Sequence, residues 1–285
     1  MTESELSKVI ANAVHLAIAH STQFNLRKCM EQFQVSVRRE EARLHANPIV
    51  RKGAKYFSQN DEDGILLEII RRCRLSSGTF VEFGVGNGLE NNTVILLMHG
   101  WRGCWFGGED LAFSDAPTDR WAYQKVWIKP QNAVELMASV LDRYRCGDVD
   151  VVSIDLDGMD IYVVEKLLES GMRPGVLVCE YNAKFPPPVD FRIAYDENFV
   201  WDGQSDYSAA SLQAYVNVMS GYGYVLVACN ITGSNAFFVR QDLAQGFHDI
   251  PKTISELYSP PNDGVIYTLN HAAAPRTVRS FIDRR

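Results

Sequence analysis

From Lys55 onward, short apolar runs alternate with amphipathic stretches, and this alternation limits the fold more than any other feature of the chain. Apolar runs of strand length occupy 79–84, 103–107, 125–128, 150–154, 176–179, 224–229 and 236–240. Helical spacing fills 91–99, 132–145, 161–170 and 208–220, and a further helix follows the polar cluster SQNDED at 58–63. Strands separated by helices predict a parallel sheet wrapped on both faces. The last two strands are separated only by NITGSN at 230–235, too short for a helical crossover. They form a hairpin, so the final strand runs antiparallel to the rest.

Residues 3–45 contain neither Gly nor Pro. Leu6, Val9, Ile10, Ala13, Leu16 and Ala17 recur at helical spacing, as do Met30, Phe33 and Val37. Ser58 or Asn60 is the expected N-cap of the helix after SQNDED. The chain divides into a helical extension over 1–50 and a main domain over 51–285. The extension would act as a lid or a homodimer contact, or simply pack on the main domain. With 285 residues, 46% of them hydrophobic, the chain is long enough for one large core. A net charge of -7 argues against a broad nucleic-acid surface. Six cysteines contain no CxxC pair, so no zinc ribbon is expected, and Cys179 and Cys229 lie in apolar runs as buried small hydrophobes. MTESELSKVI lacks the basic and apolar regions of a signal peptide, and no run of about 18 apolar residues predicts a membrane span. A cytoplasmic location is the expectation.

The stretch FVEFGVGNG sets Gly84, Gly86 and Gly88 at alternate positions after a strand. Residues without Cβ let a ligand approach the backbone, and the following helix would aim its N-terminus at that ligand. A dinucleotide loop wants G-x-G-x-x-G, but position 89 is Leu. The pattern E-x-G-x-G-x-G instead resembles motif I of class I S-adenosylmethionine-dependent methyltransferases. SQNDEDG, GWRGCWFGGED, VDVVSIDLDG, VCEYN and SNAFFVR extend the resemblance from about Tyr56 to Arg240, toward an uncharacterised bacterial subgroup that is FkbM-like in the broad sense. The resemblance implies a Rossmann-like, seven-stranded, mostly parallel sheet of order 3-2-1-4-5-7-6 with a C-terminal hairpin. It implies that Glu82, Gly84, Gly86 and Gly88 hold the methionine end of the cofactor. Ser58 and Gln59, ahead of the motif, are further cofactor candidates. Glu109 follows Gly88 by twenty-one residues, where an acid would accept from the ribose hydroxyls, with Asp110 its neighbour and competitor. Gln131 or Asn132 would contact the base.

Asp155 and Asp157, in DLDG, and Glu180 and Asn182, in CEYN, fall where the fourth and fifth strands should end. The carboxyl ends of an open α/β sheet share one crevice, so these four groups would meet beside the cofactor. Three readings compete. They bind Mg²⁺ or another divalent cation through oxygen, as catechol-O-methyltransferase-like enzymes do. Or Asp155, Asp157 or Glu180 is a general base, or they cap and order the turns. Asp155 would also reach the methionine amino group. No obligatory nucleophile is needed, because the chemistry rests on in-line positioning and exclusion of water.

The segment 182–207 carries three consecutive prolines and six aromatic residues, and would form a lid or substrate wall, or bury against the helical extension. FPPP does not sit at the fourth strand's end, where base-specific amino-methyltransferases carry their motif, so nucleic acid is not the expected substrate. The leading expectation is O-methylation of a small-molecule or glycan acceptor, favoured over N-methylation. Two alternatives remain: a metal-dependent glycosyltransferase using Asp155-Leu156-Asp157 as a DxD motif, and a non-catalytic protein that keeps the fold.

Overall fold

The computed structural model describes residues 14, 15, 18, 21–26, 29, 33, 36, 37, 40–202, 205–262 and 275–283. Seven strands form one sheet: β1 (Thr79–Phe83), β2 (Arg102–Gly107), β3 (Trp121–Lys125), β4 (Val151–Ile154), β5 (Val176–Glu180), β6 (Tyr224–Cys229) and β7 (Asn235–Arg240). Their order is β3-β2-β1-β4-β5-β7-β6. The first five run parallel, and β7 lies antiparallel between β5 and β6. This is the class I methyltransferase order that the resemblance implied, and the five-residue turn 230–234 makes the reversal.

Helices α1 (Glu62–Arg72), α2 (Val94–Met98), α3 (Pro130–Tyr144), α4 (Asp160–Glu169) and α5 (Leu212–Gly221) separate the strands, followed by the short α6 (Ile254–Leu257) and by α7 (Pro275–Ile282). Burial on both faces explains why β1, β4 and β5 read as continuous apolar runs rather than alternating ones. One core packs α3, α4 and α5 on the sheet through Val140, Val164 and Tyr215. The other packs α1, α2 and α7 through Ile69, Leu96 and Phe281. There Trp105 and Trp121 meet edge to face at 5.4 Å, a geometry worth about 0.5–1.5 kcal/mol beyond area burial.

Local chemistry sets the element ends. Pro130 starts α3, where its missing N–H is no loss, and Asn132 Oδ1 accepts from Lys129 N–H at 2.9 Å. Ser211 caps α5 by accepting from Ala214 N–H at 3.2 Å. At α1 the cap position is Asp61, not Ser58 or Asn60, although Ser58 Oγ does accept from Asp63 N–H at 3.3 Å.

Two boundaries differ from the sequence expectation by four residues, and the helix expected from 91 starts at Val94. The third strand lies at Trp121–Lys125, four residues before the expected 125–128, because Trp121 to Lys125 pair with Gly103 to Gly107. Only Val126 N–H continues toward β2, donating to Gly107 O at 2.8 Å, and the chain then turns out to the crevice. Helix α5 starts at Leu212 rather than 208, since Ala210 is drawn into a bridge with Arg192.

The described residues between 14 and 44 are helical. The remainder of the predicted helical extension, residues 1–13 included, lies outside the described residues. At its end, Asn47, Ile49 and Val50 are fully buried in the body, and Asn47 Nδ2 donates to Val227 O at 2.8 Å. Of the aromatics in 182–207, Tyr195, Trp201 and Tyr207 stay exposed among the described residues. No helix among the described residues is long and apolar enough to cross a membrane.

Candidate functional site

The loops at the carboxyl ends of β1, β2 and β4 surround a cleft of about 190 Å³. Gly84, Gly86, Glu109, Asp155 and Asp157 all line it, as the sequence predicts. Gly84 adopts φ +93°, and a Cβ there would lie 1.5 Å from Asp155 O, so only glycine lets β4 pass so close. At Gly86 the nearest atom to the place a Cβ would take is Glu109 Oε2, 3.8 Å away. The Gly86 backbone therefore lies bare to the cleft, with a carboxylate beside it.

Gly88 faces elsewhere. Its missing Cβ makes room for Leu111 and Phe113, which brings the 108–113 loop against the glycine turn. Glu82 is buried, and its two carboxylate oxygens accept from Asn92 N–H (2.9 Å), Thr93 N–H (3.0 Å) and Thr93 Oγ1 (2.5 Å). It ties β1 to the start of α2 and so fixes the path of the glycine loop. Burial pushes its carboxyl up to about 7, against the pull of these donors.

Ser58 and Gln59 do not line the cleft. Ser58 is buried, while Gln59 offers its backbone oxygen to Lys55 Nζ at 2.9 Å. Their loop is organised by Asp63, whose Oδ2 accepts from the backbone N–H groups of Tyr56, Phe57 and Ser58 at 2.7, 2.5 and 2.8 Å. Glu62 joins this loop to the hairpin turn, accepting from Asn230 Nδ2 at 2.8 Å and Asn235 Nδ2 at 3.2 Å.

Next to the cleft, carboxylate oxygens of Asp155, Asp157 and Glu180 lie within 4.8 Å of one another. Asp157 holds a left-handed backbone, φ +56°, which aspartate tolerates better than most residues. Glu180 Oε2 is fully buried and has no hydrogen-bond partner among the described residues. Burial, then the charges of Asp160 and Asp157, pushes Asp155 up to about 8. Burial and the Asp155 charge push Glu180 well above the usual carboxylate range. Burial also raises Asp157. Asp160 steadies the turn below them, accepting from Leu156 N–H at 2.7 Å and Gly158 N–H at 2.9 Å.

Asn182 stands apart in its bonding. Its amide nitrogen donates to Asp206 O (2.9 Å) and Ser208 O (3.1 Å), and its oxygen accepts from Lys184 N–H at 3.1 Å. It anchors the two ends of the 182–208 loop to each other.

Several lining groups have no counterpart in the sequence reading. Trp127 and Lys129 come from the segment leaving β3, in place of Gln131 and Asn132, and Met159 comes from the turn after Asp157. Asn132 caps α3, and Gln131 Nε2 donates to Tyr195 Oη of the lid. Glu197 and Phe199 reach the cleft from the 182–207 segment. The Trp127 and Phe199 rings rest on Gly108 and Gly158, where a Cβ would come within 3.0 and 2.5 Å of them. The Gly107-Gly108 pair and the glycine of DLDG were the available signal that something flat packs there. A larger cavity, about 660 Å³, opens at the other end of the sheet, near the amino ends of the parallel strands, beside Arg71, Arg72 and Arg74. There Arg71 and Arg72 pair with Glu68, and Arg72 also with Asp249, and the acid cluster is remote from it.

Sheet order, glycine cradle and strand-end acids define an α/β protein with the class I methyltransferase fold. No protein-family model matches the chain, and no curated protein matches it either. Among solved structures it is similar to MycE, a methyltransferase from the mycinamycin biosynthetic pathway solved in complex with Mg, SAH and mycinamycin VI. That match has 16% identity and a TM-score of 0.39, covering 65% of this chain and 50% of that one. It is also similar to an O-methyltransferase family protein from Burkholderia thailandensis, at 12% identity and a TM-score of 0.34, covering 62% of this chain and 55% of that one. The match thus spans about half the length of each of these structures.

Proposed function

We propose that the protein is an S-adenosylmethionine-dependent methyltransferase acting on an oxygen of a small-molecule or glycan acceptor, with a divalent cation such as Mg²⁺ held by Asp155, Asp157 and Glu180. The observation that carries this is the side-chain-free backbone at Gly86, held in place by the Gly84 turn, with the Glu109 carboxylate 3.8 Å from the place a Gly86 Cβ would take. On its motifs, the chain belongs with the FkbM-like bacterial enzymes in the broad sense.

The residues present suit the cofactor. Bare backbone at Gly86 admits close approach, and Glu109 accepts from ribose hydroxyls. Trp127 offers a ring face to the base, and Asp155 faces the amino end of the methionine. The present cleft is smaller than the roughly 300–1,000 Å³ of ordinary small-molecule sites. Glu197 and Phe199 line one side of it, so outward movement of their segment would enlarge the cleft for the whole cofactor. When bound, the cofactor supplies a methyl group on a cationic sulfur that departs as a neutral thioether, so no acid is required. The protein's part is to align the acceptor and keep water out.

The acid cluster suits a hard cation. All its donors are oxygens, and Glu180 Oε2 lacks any other partner among the described residues. A cation there would lower the pKa of an acceptor hydroxyl. Without one, Asp157, the exposed member, would accept the acceptor's proton directly.

Isothermal titration with S-adenosylmethionine and with nucleotide sugars tests the proposal. Binding of the first, weakened tenfold or more in Glu109→Ala, is expected. Binding of a nucleotide sugar alone would overturn it in favour of the glycosyltransferase reading that Asp155-Leu156-Asp157 keeps open. Cofactor binding without turnover on any acceptor would point to the non-catalytic reading.

A further inference from the structure

Glu109 lines the cleft, yet its carboxylate has no hydrogen-bond partner among the described residues, so its aim depends on its own backbone. Residues 108–111 follow β2 and belong to no helix or strand. Among the described residues one hydrogen bond holds their main chain, and it comes from a side chain of β3. Tyr123 Oη donates to Glu109 O at 2.5 Å and to Gly107 O at 3.0 Å, so one phenol spans the point where the loop leaves β2.

Tyr123 is itself held in place. It pairs with Trp105 in the β2–β3 ladder, and its ring packs on the core shared with α1, α2 and α7. Burial, then the charges of Asp110, Glu109 and Asp115, keeps its phenol above the usual range, so it remains a donor. Beyond Glu109 the loop is tied to the glycine turn. Ala112 N–H donates to Asn87 O at 2.9 Å, and Leu111 and Phe113 occupy the space over Gly88. Two residues further along β3, Lys125 pairs with Asp110 at 2.7 Å. That exposed pair contributes little energy, but it draws Asp110 toward β3. Of the two neighbouring acids, only Glu109 lines the cleft.

We infer that Tyr123 is a positioning residue for the cofactor: by holding the Glu109 carbonyl, it aims the Glu109 carboxylate at the ribose hydroxyls. The inference rests on the S-adenosylmethionine reading above. An acceptor fixed before the ligand arrives costs less ordering on binding, so loss of the fixing bond appears as weaker affinity. One neutral hydrogen bond corresponds to roughly two- to tenfold in an equilibrium constant.

Tyr123→Phe keeps the ring and removes only Oη. The test is isothermal titration of S-adenosylmethionine into the full chain as wild type, Tyr123→Phe, Glu109→Ala and the double variant, each with a thermal melt. Tyr123→Phe is expected to bind about two- to tenfold more weakly than wild type. With Glu109→Ala there is no carboxylate to aim, so adding Tyr123→Phe to it should cost no further affinity. A residue that only supports the fold would weaken both backgrounds alike, because effects of uncoupled residues add. Equal affinity in wild type and Tyr123→Phe, with Glu109→Ala impaired, overturns the positioning role and leaves the cofactor reading standing. An equal loss in both backgrounds also overturns it. A wild-type chain that binds no S-adenosylmethionine removes the cofactor reading, and the role of Tyr123 falls with it.

Discussion

The main chain of Asp155 crosses Gly84 so closely that its carbonyl oxygen occupies the space of a side chain, 1.5 Å from where a Cβ would be. One contact thus joins the glycine turn after β1 to the acid-bearing turn after β4. The proposed donor cradle and the proposed cation site share a wall made of backbone.

Gly84 and Gly86 should respond to alanine in opposite ways. Gly84→Ala must displace the β4 turn and hold φ +93° with a side chain, so the fold itself should suffer by several kcal/mol. Gly86→Ala meets nothing closer than 3.8 Å, so its melting temperature should stay near wild type while its methyl projects into the cleft. Its cofactor affinity should fall at least tenfold. Thermal melts and titration on both variants check this, and an unaffected affinity in Gly86→Ala would count against the cradle.

Glu109 is the next discriminating residue. A charged acceptor bonded to hydroxyls contributes about 1.5–3 kcal/mol, or roughly 10- to 100-fold in affinity. Glu109→Gln should lose much of that with no change in stability, since its side chain has no hydrogen-bond partner to abandon among the described residues. Equal cofactor binding by Glu109→Gln and wild type would remove its ribose role.

The sheet was legible because its signals are local. Period-two and helical patterns, and a connection of six residues, sufficed for seven strands and the reversed β7. Gly84, Gly86, Glu109, Asp155 and Asp157 were legible for the same reason, as each ends a strand or follows one directly. Phe199 was not, because a loop distant in sequence carries it to the cleft, and Trp127 was not, because the expected third strand, 125–128, enclosed it. The third strand was misplaced because VWI is the more apolar run, whereas pairing with β2 selects WAYQK and buries Trp121 completely. Motif position also says nothing of where a side chain points. Glu82, Ser58 and Asn182 sit where binding residues were expected, and each is engaged in holding a loop.

The lid yields a kinetic prediction. Phe185, Phe191, Tyr207 and Phe199 form a continuous run of ring contacts, 3.9, 6.1 and 6.4 Å between centroids, that ends on Gly158 in the cleft. Removing the last ring by Phe199→Ala should open the cleft and speed cofactor association several-fold in stopped-flow fluorescence. Unaltered association would mean that the cofactor enters without displacing this ring.

Cation dependence is tested at Asp157. Its carboxylate is exposed and has no hydrogen-bond role among the described residues, so Asp157→Asn should fold normally. If a cation is held there, turnover should fall at least tenfold in the variant and in wild type treated with chelator, and added Mg²⁺ should restore only the latter. Undiminished turnover in chelator would eliminate the cation and leave Asp157 as the base.

The buried acids outside the cleft predict how stability changes with pH. Asp61 has no hydrogen-bond partner at Oδ1 among the described residues and only a 3.4 Å contact from Ile231 N–H at Oδ2. Burial, reinforced by the neighbouring Glu62 charge, pushes its carboxyl up to about 7, while burial pushes Asp63 to about 6. An unfolded aspartate titrates near 3.9. Between those values the folded state binds more protons than the unfolded one, so stability falls as pH rises from about 4 to about 7, at roughly 1.4 kcal/mol for each pH unit and group. Above pH 7 the loss is complete. Below pH 4 both states are protonated and the loss is absent. Asp61→Asn keeps an acceptor for Ile231 and removes the titration, so its melting temperature should depend less steeply on pH across that window and exceed wild type at pH 8. Parallel curves for the two proteins would show that Asp61 is ionised in the fold at little expense, with a water or cation at Oδ1 solvating it.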